Sequence, residues 1–171
     1  MRRFTSGLAW AIAGGVVVQA AAIAFAFGGL LNRVSNGDVV DKALLESRQS
    51  GGTGEAGFWI HGIVGGAVIP LLAIALVVAS FFVRARGAKL WAAITLALVV
   101  LQVTLGFTII GAPYLGLIHG ANALAIVATA VVTAMRLRRM PRAAADAEAG
   151  TDAGADEGAD PEEATSNAVS A

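Results

Sequence analysis

The chain is expected to fold as an all-α membrane protein: a four-transmembrane-helix up-down bundle with both termini cytoplasmic and a disordered acidic C-terminal tail. Three observations predict this. Four apolar runs, Leu8–Leu31, Phe58–Val83, Leu90–Ile110 and Pro113–Met135, contain no Asp, Glu, Lys or Arg. Each reaches the roughly 20 residues that cross about 30 Å of hydrocarbon at about 1.5 Å per residue. Only 14% of the 171 residues are charged and 57% are hydrophobic, where soluble domains average about 25% and 45–50%. Charge that sums to zero is also segregated along the chain, with basic residues beside the spans and acidic residues at the C-terminal end.

In hydrocarbon each segment must satisfy its own backbone, and long runs without alternation do so as helices. Arg2 and Arg3 precede the first run. Ala24-Phe25-Ala26 resembles a signal-peptide cleavage site, but a signal h-region runs only about 7–15 residues. The longer run here reads as a retained span. The 33–57 loop follows, with three basic and four acidic residues. Within it Val39, Val40, Ala43 and Leu44 recur at helical spacing. Asp38–Gln49 therefore reads as a short amphipathic surface helix with Asp38 as N-cap, or as a plain solvated loop.

Arg84, Arg86 and Lys89 fill the connection after the second span, the third span ends at a Gly111-Ala112 turn, and Arg136, Arg138, Arg139 and Arg142 follow the fourth. The bias of basic residues toward the inner side assigns these groups, with Arg2 and Arg3, to the cytoplasm. Trp10 and Trp91 then fall at inner ends of spans, and Trp59 and Tyr114 at outer ends, as interfacial anchors. Residues 1–142 make up the transmembrane domain. The tail, 143–171, holds eight acidic residues and no basic ones among Ala, Gly, Ser and Thr. It cannot bury enough apolar surface to offset its ordering entropy, which predicts disorder. Scarce lysine beside abundant arginine, alanine and glycine fits a GC-rich prokaryotic genome, so the expected location is the inner or plasma membrane of a prokaryote.

The absence of cysteine excludes a disulfide framework, a thiolate metal site and a cysteine nucleophile. The two histidines, His61 and His119, are ionisable groups inside the spans, which marks them as functional candidates. In an up-down bundle the second and fourth helices run parallel and sit diagonally. His61 is the fourth residue of its span and His119 the seventh, so their depths differ by about one turn. Two imidazoles so placed suit the axial positions of a haem iron. Zinc or copper fits less well, because two imidazoles leave a coordination of about four unfilled. The plainer reading of each is an imidazole hydrogen-bonded to a neighbour or water near the interface.

At about 100° per residue, Asn122, Thr129 and Thr133 lie on the side of His119, and Thr95, Gln102 and Gly106 share a face of the third helix. Gly65, Val68 and Leu72 fall within about 40° of His61, with Pro70 opposite. Glycine is concentrated in the outer halves of the helices, including Gly65, Gly106 and Gly116. There it lets a flat macrocycle approach the backbone, or lets helices pack closely.

Leu101-Gln102, Leu105-Gly106 and Pro113, followed by His119 and Ala123, resemble the third and fourth helices of a half of haem A synthase. Ile60-His61-Gly62-Ile63-Val64-Gly65 resembles the histidine segment of that unit's second helix. The likeness covers about residues 58–130. That family carries four-helix units, usually two in tandem, with histidine pairs on the second and fourth helices. The resemblance implies that His61 and His119 are haem ligands. The family's catalytic half has a glutamate three residues before the first histidine, where Phe58 stands, and an arginine after it, where Gly62 stands. Its cysteine pair in the first outer loop has no counterpart here. The resemblance therefore implies a haem-binding unit without the methyl-hydroxylating machinery, or a small membrane family that shares the bundle.

The expected function is that of an integral membrane b-type cytochrome-like protein, holding haem b through His61 and His119 near the outer face for electron transfer or haem handling. Gly65, Gly106 and Gly116 would line the cofactor, and Arg33, Lys42 or Arg48 would pair with its propionates. The alternative is a cofactor-free structural or accessory membrane protein. Haem-modifying oxidoreductase chemistry follows from the resemblance only. The expected partners are the lipid bilayer, a redox partner or membrane complex, and a second copy in a homodimer, with no nucleic acid.

Overall fold

Helices form where the uncharged apolar runs lie. The computed structural model describes residues 1–47 and 52–155, with side chains described over 1–44 and 52–138. Helix α1 covers Arg2–Ser35, a short α2 covers Lys42–Ser47, α3 covers Glu55–Phe81, α4 covers Ala88–Thr108 and α5 covers Leu115–Ala155. Four stretches, Arg2–Ser35, Glu55–Phe81, Ala88–Thr108 and Leu115–Arg138, are long and apolar enough to cross a membrane. No strand occurs among the described residues. The chain divides into two units, Met1–Arg138 and Arg139–Ala171.

Within the first unit, buried positions recur every seven residues. On α1 they are Thr5, Ile12, Gln19 and Ala26, with Ala22 and Gly29 beside them. On α4 Ala88 and Thr95, then Ala92 and Val99, repeat the spacing. On α5 Ile126 and Thr133, then Ala130 and Leu137, do the same. A repeat near 3.5 residues keeps one narrow seam of each helix against its neighbours. Helix α3 packs on α1 and α4. The Ser6 hydroxyl donates to the Ala134 carbonyl at 3.3 Å, joining α1 to α5, and the Asn122 amide donates to the Leu98 carbonyl at 2.9 Å, joining α5 to α4. The ring of neighbours leaves α3 and α5 diagonal.

The polarity of the bundle is inverted relative to a water-soluble domain. Thr5, Ser6, Gln19, Ser80, Thr95, Asn122 and Thr133 are buried, while Val17, Leu71, Phe107, Leu117 and Leu124 are exposed. Lipid tails are as apolar as leucine, so large aliphatic side chains gain nothing by turning inward. Close backbone approach and hydrogen bonding hold the helices instead. A Cβ on Gly57 would collide with the Ala22 carbonyl, and one on Gly54 would stand 2.9 Å from the Gly29 Cα. Gly29, Gly54 and Gly57 thus let α1 and α3 approach backbone to backbone, whereas Gly28, Gly62, Gly66, Gly116 and Gly120 have nothing within 4 Å of their Cβ positions.

Helix α3 departs from its predicted phase. Its Val64–Val68 segment is a π-helix, in which the Ile69 N–H donates to the Val64 carbonyl. Pro70 explains this: it has no N–H, and its ring crowds the carbonyl four residues back, that of Gly66. A wider turn relieves the crowding by inserting one residue. The buried stripe then runs through Ile69, Ala73 and Leu76, at 5%, 0% and 0% exposure, whereas Val68 is 42% exposed and Leu72 only half-buried. Uniform α-helical spacing had placed Val68 and Leu72 with His61; the inserted residue moves that face by one position. Pro70, expected opposite His61, is half-buried.

One further expectation is corrected. The surface helix of the first connection begins at Lys42, and its cap is Asp41, whose carboxylate accepts from the Leu44 N–H at 2.8 Å. Asp38 instead takes the Arg33 guanidinium at 3.1 Å. Helix α5 is described as far as Ala155, and the alanine-rich composition of its last part favours helix. The remainder of the tail, 156–171, lies outside the described residues.

Candidate functional site

His61 lies two turns into α3 and His119 one turn into α5, each at the end of its helix that follows the Gly54 or Gly111 connection. Because α3 and α5 are diagonal, the two imidazoles face each other across the bundle, with ring centres 6.3 Å apart and planes tilted by 50°. Two imidazoles bound to opposite sides of one metal, with bonds of about 2.0–2.1 Å, also hold their ring centres roughly 6 Å apart.

The His61 Nδ1 stands 3.3 Å from the main-chain oxygen of Gln19 on α1. A carbonyl can only accept, so Nδ1 carries the proton and Nε2 keeps its lone pair. Such a bond to the far nitrogen orients a metal-ligating histidine. On the other side of the bundle His119 Nδ1 is buried and has no hydrogen-bond partner.

The two glutamine side chains differ. The Gln102 Oε1 accepts from the Asn122 amide at 2.7 Å. Gln19 is 8% exposed, its Nε2 has no partner, and it packs where a side chain on Gly65 would stand. The absent side chain at Gly65 therefore makes room for Gln19. Gly106 is placed against His119: a Cβ there would lie 3.5 Å from the His119 Cε1. Gly116 is half-buried and has nothing within 4 Å of its Cβ position.

The structure thus brings together His61, His119 and Gly106, reaches Gly65 through Gln19, and sets no neighbouring element against Gly116. Of the proposed propionate partners, Arg33 is paired with Asp38, Lys42 lies in α2, and Arg48 falls outside the described residues. Gln19 is the site residue that sequence reasoning left unassigned. Its one signal was a carboxamide in an otherwise apolar span.

Among the described residues no group of three or more His, Asp or Glu side chains converges as a metal site would need. A pair of imidazoles supplies two ligands and no more. The donor set suits a group that brings its own equatorial nitrogens, as a haem does, better than a bare ion. Comparison with protein-family models, with curated proteins and with solved structures finds no match to this chain.

Proposed function

We propose that the protein is a b-type cytochrome-like membrane protein that holds one haem between His61 and His119, for electron transfer or haem handling. The observation that carries this reading is the pair of facing imidazoles, 6.3 Å apart, with His61 held in the tautomer that leaves Nε2 free. When bound, the haem would supply a one-electron couple. The chain's own contribution is to fix two imidazoles from diagonal helices and to hold the His61 Nδ1 proton on the Gln19 carbonyl. Gly106 keeps the space beside the His119 ring free of a side chain. The resemblance of residues 58–130 to a half of haem A synthase points the same way.

We place the protein in the inner or plasma membrane of a prokaryote. Arg2, Arg3, Arg84, Arg86, Lys89, Arg136 and Arg138 are all exposed at one end of the bundle, which supports a cytoplasmic position for that end. The histidine end then faces outward, where a redox partner would meet it.

The test is a dithionite-reduced minus oxidised difference spectrum of protein purified in detergent after haem supplementation. A Soret shift with a sharp α-band is expected. A featureless spectrum with correctly folded protein rejects the proposal in favour of a cofactor-free accessory role.

A further inference from the structure

The basic end of the bundle holds a second cluster of polar groups, separate from the histidines. The connection between α3 and α4 packs on α5, where Val83, Ala88 and Leu137 bury a small apolar cluster with Ala85 against it. This contact brings Gly87, Trp91 and Arg136 together. The Arg136 guanidinium lies over the Trp91 ring, 5.3 Å from its centre, a contact that orients the cation. Gly87 has φ +81°, and the position its Cβ would take is 3.8 Å from Arg136 Nη1 and 3.9 Å from Trp91 Nε1. A guanidinium nitrogen and an indole nitrogen from different helices thus both come within 4 Å of the place where a side chain on Gly87 would begin.

Charge and surroundings define what fits there. Arg84, Arg86, Lys89 and Arg138 are exposed around the same turn, with the Lys89 ammonium 4.8 Å from the Phe81 ring centre. The carboxylates whose side chains are described, Asp38, Asp41 and Glu55, all lie in or beside the first connection, at the opposite end of the bundle. Beside it Phe81, Phe82 and Leu90 are 62%, 67% and 62% exposed. A free phosphate ion would use the donors and leave the apolar collar bare. A phospholipid uses both, its phosphate on the donors and its acyl chains along the collar.

We propose that Arg136 and Trp91, converging over Gly87, seat the phosphate of an anionic phospholipid, with Arg84, Arg86 and Lys89 supplying the preference for net negative headgroups. Basic pockets between helix ends recognise such headgroups by the same chemistry.

The test is native mass spectrometry of the full-length protein, delipidated and then re-equilibrated with phosphatidylglycerol or phosphatidylcholine. Retention of phosphatidylglycerol is expected to exceed that of phosphatidylcholine at least about fivefold. Arg136→Gln should reduce that retention about fivefold, and Trp91→Phe, which keeps the ring but removes the indole N–H, should reduce it severalfold with helical content unchanged. Arg33→Gln, outside the seat, should leave retention unaltered. Equal retention of the two lipids, or wild-type retention in both seat variants, overturns the proposal. So does displacement of phosphatidylglycerol by inorganic phosphate at millimolar concentration, which would assign the seat to a soluble anion.

Discussion

The ring centres of His61 and His119 stand 6.3 Å apart, on helices that touch each other's neighbours and are themselves diagonal. Neither imidazole rests on its own helix for orientation. His61 leans on the backbone of α1 through Gln19, and His119 lies beside Gly106 of α4. The pair is therefore a product of all four membrane-crossing helices, and substitutions far from either ring should disturb it.

Replacing either ligand tests the pair directly. His61→Ala and His119→Ala are each expected to lower bound haem at least tenfold while circular dichroism stays that of the wild type. His61→Met should retain haem with a shifted α-band, since a thioether is also an axial ligand. Wild-type haem content in either alanine variant would show that the histidines are structural.

The π-helical turn sets the phase of His61. Deleting Gly66 removes the inserted residue and returns Val64–Val68 to α-helical spacing. The segment before it then rotates by about 100° relative to Ile69–Phe81. His61 should turn away from His119, and the haem difference spectrum should vanish while helical content persists. Gly66→Ala keeps the residue count, and nothing lies within 4 Å of its Cβ position, so that variant should bind as the wild type does. Equal haem binding in the deletion and the substitution would refute this account of the turn.

Glycines that face a neighbouring backbone should respond oppositely from glycines that face open space. Gly57→Ala drives a methyl into the Ala22 carbonyl and should cost about 1–3 kcal/mol, seen as a lower Tm in detergent. Gly116→Ala meets nothing within 4 Å and should gain about 0.5–1 kcal/mol from reduced backbone freedom in the unfolded chain. The two Tm shifts must differ in sign.

The two buried carboxamide systems should also diverge. Asn122→Leu breaks the bonds to the Leu98 carbonyl and to Gln102 Oε1 and should destabilise by about 1–2 kcal/mol. Gln19→Leu removes an amide whose Nε2 has no partner and spares the main-chain bond to His61. Cofactor-free protein should gain roughly 1–2 kcal/mol from that change, read as resistance to denaturation in mixed micelles. A loss of stability in Gln19→Leu would reveal a partner for the amide.

Much of the fold was legible because membrane solvation reads the chain locally. The runs at 8–31, 58–83, 90–110 and 113–135 each fall inside or close to one of the helices that form, because hydropathy over about 20 residues needs no knowledge of neighbours. The facing of α5 was legible too: Asn122 and Thr133 are buried, as a single polar stripe at 3.6-residue spacing implies. On α3 the same reasoning failed after Gly65. Pro70 was visible as a helix breaker, but the side of it on which the helix would widen was not. Asp41 displaced Asp38 as a cap because Asp38 had a nearer partner in Arg33, a choice between two local hydrogen bonds that spacing does not rank.

The sequence by itself determined the apolar character of this chain, the number of helices long and apolar enough to cross a membrane, and the short list of groups able to carry chemistry. Those properties are sums over adjacent residues. Tertiary structure decided which groups meet: His61 with His119, Gln19 with the place left by Gly65, and Arg136 with Trp91 over Gly87. Helical phase accumulates along a chain, so one π turn re-aims every side chain beyond it by about 100°. Contacts between helices depend on that phase and on which helices are neighbours, and both are settled only when the seams pack.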